Sequence, residues 1–247
     1  MQVPLPRWFA HRGGGTLAPE NTLAGIRLAA RMGFRAVEFD VMLSADGTPV
    51  LIHDETLTRT TNGHGLVCET PDTVLFSLDA GNGERILRLA EAAALCHQHG
   101  LLANVEIKPA AGHELQTAEV VVRQCAELWR DAGAQLLISS FSLAALEIAR
   151  DLAPDIRRGL LWDEVPADWQ EAAHRLQAFS LHCNGAHLAD DVLLEAQARE
   201  MPILCYTVNS PQQAENLLAR GVSALFTDRL DLFSPETAAY KALHLGG

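Results

Sequence analysis

Short β-type runs alternate with amphipathic helical segments along nearly the whole chain, and no other feature restricts the fold as much. Strands are predicted at Trp8 to His11, Ala36 to Leu43, Leu101 to Lys108, Leu136 to Ser140, Arg157 to Trp162, Ala178 to His182, Ile203 to Val208 and Ala224 to Thr227. Helical spacing fills the intervals, as in Leu23 to about Met32 before Gly33, Leu87 to His99 before Gly100, and the recurrence Ala118, Val121, Val122, Cys125, Trp129. About eight β-α steps without a Pro/Ser-rich linker predict an α/β chain folded as a (β/α)8 TIM barrel, with a doubly wound open sheet as the rival. Residues 1–247 are read as one domain.

The regular spacing fails after the second strand. Asp46-Gly47 turns the chain into a short strand, Pro49 to His53, and residues 54–84 then run on, rich in Thr, Asn, Gly and Asp. An aperiodic stretch of that length in a compact domain predicts an inserted loop segment over the active-site face.

With 247 residues, 48% hydrophobic and 20% charged, the chain can bury one large core. No apolar run reaches the ~18 residues that a membrane span requires. The start, Met1 to Arg7, lacks the apolar stretch of a secretory signal. The cysteines Cys68, Cys96, Cys125, Cys183 and Cys205 form no Cys-x-x-Cys pair, which fits a reducing, cytoplasmic setting. A net charge of −12 disfavours a nucleic-acid surface. A membrane partner is not expected either, and oligomeric state is left open.

Two strands carry charge in an unusual way. In Val37-Glu38-Phe39-Asp40-Val41 and Asn104-Val105-Glu106-Ile107-Lys108 the apolar residues share one face, and Glu38, Asp40, Glu106 and Lys108 share the other. Burying ions costs several kcal/mol each unless they are paired or bind a metal. The only lysines are Lys108 and Lys241, so an ammonium at position 108 suggests a compact point charge.

In a barrel the reactive end is the C-terminal end of the strands. Those ends carry His11-Arg12, Glu38, Asp40, Glu106, Lys108, Ser139-Ser140-Phe141, Trp162, His182 with Asn184, Tyr206 with Asn209, and Thr227-Asp228, while His53-Asp54 ends the extra strand. Three carboxylates form an all-oxygen set that selects a hard divalent cation such as Mg²⁺ or Ca²⁺. With that cation, Lys108 and Arg12, the site sums to about +1, which suits one phosphodiester; without it the sum is about −1. The bland alternative is a pair of internal salt bridges, Glu38 with Arg12 and Glu106 with Lys108.

His11 and His53 are candidates for proton transfer, each worth ~10²–10⁴ in rate. Gly13-Gly14-Gly15 suggests either a phosphate cradle or a tight turn. Asn21 or Thr22 is a candidate helix cap. Glu20 could pair with Arg12 or favour the helix dipole, and Tyr206 could wall substrate carbons or pack in the core. His97 and His99, near a helix end, read as structural.

The string His11-Arg12-Gly13, Ala18-Pro19-Glu20-Asn21-Thr22, Glu38-Phe39-Asp40-Val41, Asp46-Gly47, Leu51-Ile52-His53-Asp54 and Glu106-Ile107-Lys108-Pro109 resembles the glycerophosphodiester phosphodiesterase family. Ser139-Ser140-Phe141, Tyr206-Thr207-Val208-Asn209 and Thr227-Asp228 extend the match, and it is most similar to the cytoplasmic bacterial members. The resemblance implies a (β/α)₈ barrel that hydrolyses glycerophosphodiesters, small deacylated phospholipids, to sn-glycerol 3-phosphate and an alcohol. It also implies that His11 and His53 are the acid/base pair, that Glu38, Asp40 and Glu106 bind the metal, and that Arg12 and Lys108 hold phosphate. Glu20 and Tyr206 complete the expected substrate contacts, and the glycerol hydroxyls are expected to help coordinate the cation. In one place the chain departs from the family: after Leu78-Asp79-Ala80-Gly81 it continues as Asn82-Gly83-Glu84-Arg85-Ile86-Leu87, shorter and without the usual aromatic and Pro. That implies a trimmed cover on the leaving-group side. Two other readings are a metal-dependent barrel lyase or isomerase using Lys108 as base or Schiff-base nucleophile, and a non-catalytic degenerate barrel.

Overall fold

The computed structural model describes residues 5–234. Eight parallel strands form the cylinder: β1 (Trp8–Ala10), β2 (Ala36–Leu43), β4 (Leu102–Ile107), β5 (Leu136–Ser140), β6 (Arg157–Trp162), β7 (Ser180–Asn184), β8 (Ile203–Tyr206) and β9 (Ala224–Thr227). Each pairs in parallel with its neighbours, and β1 pairs with both β2 and β9, which closes the sheet and excludes the open-sheet rival. The extra strand β3 (Pro49–Leu51) lies antiparallel against the C-terminal half of β2, with Val41 opposite Leu51.

Among the described residues the α-helices are α1 (Leu23–Arg31), α2 (Asp72–Leu75), α3 (Leu89–His99), α4 (Glu114–Leu128), α5 (Leu143–Leu152), α6 (Trp169–Leu176), α7 (Asp190–Ala198), α8 (Pro211–Ala219) and α9 (Leu230–Phe233), which follows β9. Their apolar stripes pack on the outward strand residues. Val37, Phe39, Val41, Val105 and Ile107 join Ile26, Leu89, Val121 and Cys125 in the main core. Inside the cylinder a second apolar layer, Phe9, Ala36, Leu102, Leu137, Leu204, Ala224 and Phe226, fills the lower half. The charged half of β2 and β4 therefore stands above an apolar plug, at the C-terminal end.

Several predicted boundaries shift. The strand expected over Pro49 to His53 ends at Leu51, which frees His53 from the ladder. The strand expected from Ala178 begins at Ser180, and the one expected to reach Val208 ends at Tyr206. α3 starts at Leu89 rather than Leu87, with Gly100 in the left-handed conformation closing it as expected (φ 63°). Thr22, not Asn21, caps α1: its side chain accepts from the Gly25 N–H at 3.3 Å. Lys241 lies outside the described residues.

The aperiodic stretch 54–84 is ordered by a small cluster of its own. Leu57, Val67, Leu75 and Ala80 pack with Met42, Val50, Ile52 and Ile86, and a Thr56–Leu66 bridge holds its neck. The run after Gly81 is tied to α1, because Glu84 accepts from the Ala24 N–H at 3.0 Å. Among the described residues no helix is long and apolar enough to cross a membrane.

Candidate active site

Strand pairing places Asp40 opposite Glu106 and Glu38 opposite Asn104, so alternate residues of β2 and β4 enter the cylinder together. Glu38, Asp40 and Glu106 are 3%, 2% and 9% exposed, yet their oxygens lie within 4.8 Å of one another. Burial and the neighbouring Asp40 charge push the Glu38 carboxyl up to about 7. Burial, with the charges of Asp40 and Glu38, also raises Glu106 well above the ordinary carboxylate range.

The salt-bridge alternative does not account for these acids. The Arg12 guanidinium turns to Glu20 at 3.1 Å and lies 3.7 Å from Asp40; only the Arg12 backbone N–H reaches Glu38, at 2.9 Å. Lys108 Nζ stands 3.7 Å from Asp40 and 3.9 Å from Glu106. Glu38 Oε1 and Glu106 Oε1 accept no hydrogen bond. Buried, mutually repelling and unpartnered oxygens fit a hard cation, and this cluster could hold a metal ion. Among the described residues Asp163, Glu164 and His187 also gather ligand atoms within 4.8 Å, but they are exposed, where water already solvates the charge.

Each histidine is held through Nδ1 by an aspartate. His11 Nδ1 meets Asp228 Oδ1 at 2.7 Å, and His53 Nδ1 meets Asp54 Oδ1 at 2.7 Å. Their outer nitrogens differ in surroundings. His11 Nε2 faces Glu38 Oε2 at 3.8 Å, whereas His53 Nε2 contacts the Lys108 ammonium. For His11, burial works downward but the Asp228 hydrogen bond and the Glu38 charge prevail and raise the imidazole. For His53 burial prevails and lowers it, with Arg12 and Lys108 adding to the effect.

One cation that sequence reading missed ties two parts of the site together. Arg59, in the inserted stretch, donates to Asp54 at 2.5 and 2.9 Å and to Glu20 at 2.7 and 2.8 Å. Glu20 consequently accepts from both Arg12 and Arg59, and it stands outside the main cavity. Burial would raise the Glu20 carboxyl, but these two guanidiniums hold it below its usual range.

Asn21, expected as a possible cap, is instead buried against Asp40: its Nδ2 donates to Oδ2 at 2.9 Å and its Oδ1 accepts from the Asp40 N–H at 3.2 Å. Asp228 is itself fixed by Asn209, which donates to Oδ2 at 2.9 Å. The N–H groups of Gly13, Gly14 and Gly15 bond Glu38, Arg12 and His11 carbonyls, so the glycine run makes a tight turn and not a phosphate cradle. Gly15 has φ 54°, and a Cβ there would meet the Asp228 carbonyl oxygen at 2.2 Å. Glycine thus lets the first loop press against the residue that holds His11.

His11, Arg12, His53, Lys108, the three carboxylates and Tyr206 line one cavity of about 270 Å³. The Tyr206 hydroxyl donates to the Trp162 carbonyl at 2.8 Å, and its ring stands edge-on to the exposed Phe141. Of the candidate catalytic, substrate-binding and metal-binding residues, only Glu20 lies apart.

Residues 11–232 match the glycerophosphoryl diester phosphodiesterase family. The chain belongs to that family. It is therefore a hydrolase of glycerophosphodiesters, and the lyase and degenerate-barrel alternatives fall away. A glycerophosphodiester phosphodiesterase of Caldanaerobacter subterraneus subsp. tengcongensis is 32% identical over 236 residues, covering 93% of this chain and 94% of the relative. An Oleispira antarctica phosphodiesterase, solved with the product sn-glycerol-3-phosphate, superimposes with a TM-score of 0.85 at 38% identity, covering 91% of this chain and 93% of that one. The glycerophosphodiester phosphodiesterase of Agrobacterium tumefaciens superimposes with a TM-score of 0.77 at 27% identity, covering 93% and 100%.

Proposed function

We propose that the cavity hydrolyses small glycerophosphodiesters to sn-glycerol 3-phosphate and an alcohol, with His11 and His53 as the proton-transfer pair. The opposite electrostatic surroundings of the two imidazoles carry this reading. An ammonium against His53 Nε2 requires a lone pair there, so the ring is neutral, donates Nδ1–H to Asp54 and is ready to accept a proton. His11 lies between the carboxylates of Asp228 and Glu38, which favour the imidazolium ready to donate one. As a water oxygen bonds to phosphorus, His53 Nε2 takes its proton, and as the P–O bond to the alcohol breaks, His11 Nε2 protonates the departing alkoxide.

Arg12 and Lys108 hold the phosphoryl oxygens, and Tyr206 walls the cavity beside them. Glu20 acts through Arg12, which it aims, rather than through substrate. Glu38, Asp40 and Glu106 would hold the cation, Mg²⁺ or Ca²⁺ by their all-oxygen chemistry. When bound, that cation supplies positive charge against the developing phosphorane-like charge. The segment 54–84 brings Arg59 to the mouth of the cavity, in keeping with a cover over the reactive face. On this reading the protein is a cytoplasmic enzyme acting on a free small molecule. The test is a coupled assay for released glycerol 3-phosphate from choline, ethanolamine and glycerol diesters, with and without added Mg²⁺. Release that requires the cation is expected. Absence of glycerol 3-phosphate from all three diesters would overturn the reading.

A further inference from the structure

Two buried polar atoms on the cavity wall have no role in the scheme above. His182, on the inward face of β7, is completely buried, and its Nδ1 has no hydrogen-bond partner. Asn104, on β4, is equally enclosed; its Nδ2 donates to Ser139 Oγ at 2.9 Å, and its Oδ1 is unpartnered. Both side chains line the same cavity as the histidines and carboxylates. Unpaired polar atoms in an interior are costly unless a ligand satisfies them.

The surroundings of His182 define what it can bind. Its Nε2 is engaged by Ser180 Oγ at 2.9 Å, and its ring lies 5.4 Å from Phe226. Gly159 on the neighbouring strand makes room for it, since a Cβ there would meet His182 Nε2 at 2.5 Å. Burial without a carboxylate partner pushes the imidazole down to about 3, so the ring is neutral under all ordinary conditions.

A neutral imidazole with Nε2 already engaged offers one hydrogen-bonding function at Nδ1: donor in one tautomer, acceptor in the other. A hydroxyl satisfies either tautomer. A phosphoryl oxygen, which only accepts, satisfies one and gains no charge from this ring. Asn104 Oδ1 requires a donor, and a hydroxyl supplies that too.

We infer that His182 and Asn104 form a hydroxyl-recognition subsite that engages the glycerol end of the substrate, Asn104 from beside the carboxylate cluster and His182 from the facing wall. This inference rests on the proposed hydrolysis of glycerophosphodiesters. It makes His182 a specificity residue, which recognises an uncharged group and takes no part in proton transfer. A diester without free hydroxyls then loses the contact and leaves Nδ1 and Oδ1 unpaired, which is a strong basis for rejection.

The experiment compares two competitive inhibitors, sn-glycerol 3-phosphate and inorganic phosphate, against glycerophosphocholine hydrolysis by the wild-type enzyme and His182→Leu. The expected result is glycerol 3-phosphate inhibition weakened about 10-fold or more, with phosphate inhibition changed less than about 2-fold. KM for glycerophosphocholine should rise more than kcat falls, whereas hydrolysis of bis(p-nitrophenyl) phosphate should be unchanged. Should His182→Leu fold poorly, Asn104→Leu carries the same comparison from the opposite wall. Equal weakening of both inhibitors, or of neither, overturns the subsite. Wild-type turnover of glycerophosphocholine is read in the same plates, so failure of the underlying activity is seen separately.

Discussion

His11 and Asp228 are 217 positions apart in sequence, yet His11 Nδ1 and Asp228 Oδ1 lie 2.7 Å apart. The pairing exists because β1 and β9 are neighbours in the closed cylinder, with Ala10 beside Thr227. It fixes the ring so that Nε2 points into the cavity, and Asp228 is in turn held by Asn209.

Replacing Asp228 with Asn should lower kcat by ~10²-fold or more with little change in KM, because the ring loses both its orientation and the charge that favours imidazolium. Asp228 helps to raise the His11 imidazole, so the pH-rate limb belonging to His11 should move to lower pH in the variant. A pH-rate profile checks both points; an unshifted limb with wild-type turnover would remove Asp228 from the mechanism.

His11→Ala and His53→Ala should each reduce turnover by ~10² or more while leaving the thermal midpoint nearly unchanged. Both side chains are partly exposed at the cavity mouth, so little packing is lost with either. Steady-state kinetics beside thermal melts separate the two effects, and full turnover in both variants would refute the proton-transfer roles.

Arg59→Ala should release Glu20 and Asp54 together, so Arg12 and His53 both lose their supports. A misplacement of this kind should cost ~10²-fold in kcat/KM. The Arg59 side chain is 46% exposed, so stability should fall by no more than ~1 kcal/mol. Arg59→Lys should rescue poorly, since one ammonium cannot fork onto two carboxylates at once. Rescue to near wild-type kinetics by Lys would show that only the charge matters.

The carboxylate cluster makes a prediction about pH and metal. Glu38 rises from 4.5 to about 7 in the folded chain, so between those values the folded state binds more protons than the unfolded one. Stability of the metal-free protein should therefore fall as pH rises through that window. Added Mg²⁺ or Ca²⁺ should restore it, by more at about pH 8 than at about pH 5.5, because the cation replaces protons that are leaving anyway. Glu38→Gln should abolish the cation's effect while raising the metal-free melting temperature at the higher pH. Differential scanning fluorimetry with EDTA and with each cation reads all of these. A melting temperature in EDTA that climbs with pH would contradict the clustered, repelling carboxylates.

The sequence by itself determined the alternating β-α order and the acidic face, while closure of the sheet came from the pairing of β1 with β2 and β9. Strand periodicity is a local property, so Glu38, Asp40 and Glu106 could be placed opposite Val37, Phe39 and Val105 without knowing the fold. The motif-bearing loops likewise marked His11, Arg12, His53 and Lys108, all of which line the cavity. Boundaries were less legible: β-type residues continue to His53 and Val208, beyond the strand ends at Leu51 and Tyr206.

Only the tertiary structure decided who holds whom. Asp228, Arg59 and Asn21 are ordinary polar residues in sequence, and their partners lie in other loops or across the closure of the sheet. Glu20 illustrates the point, since its position beside Arg12 in sequence suggested a pair but not the second guanidinium that Arg59 brings from the inserted stretch. Periodicity follows from bonds along the chain, which the sequence states outright. Hydrogen-bond partnership depends on distances between loops, and these exist only once the cylinder has closed.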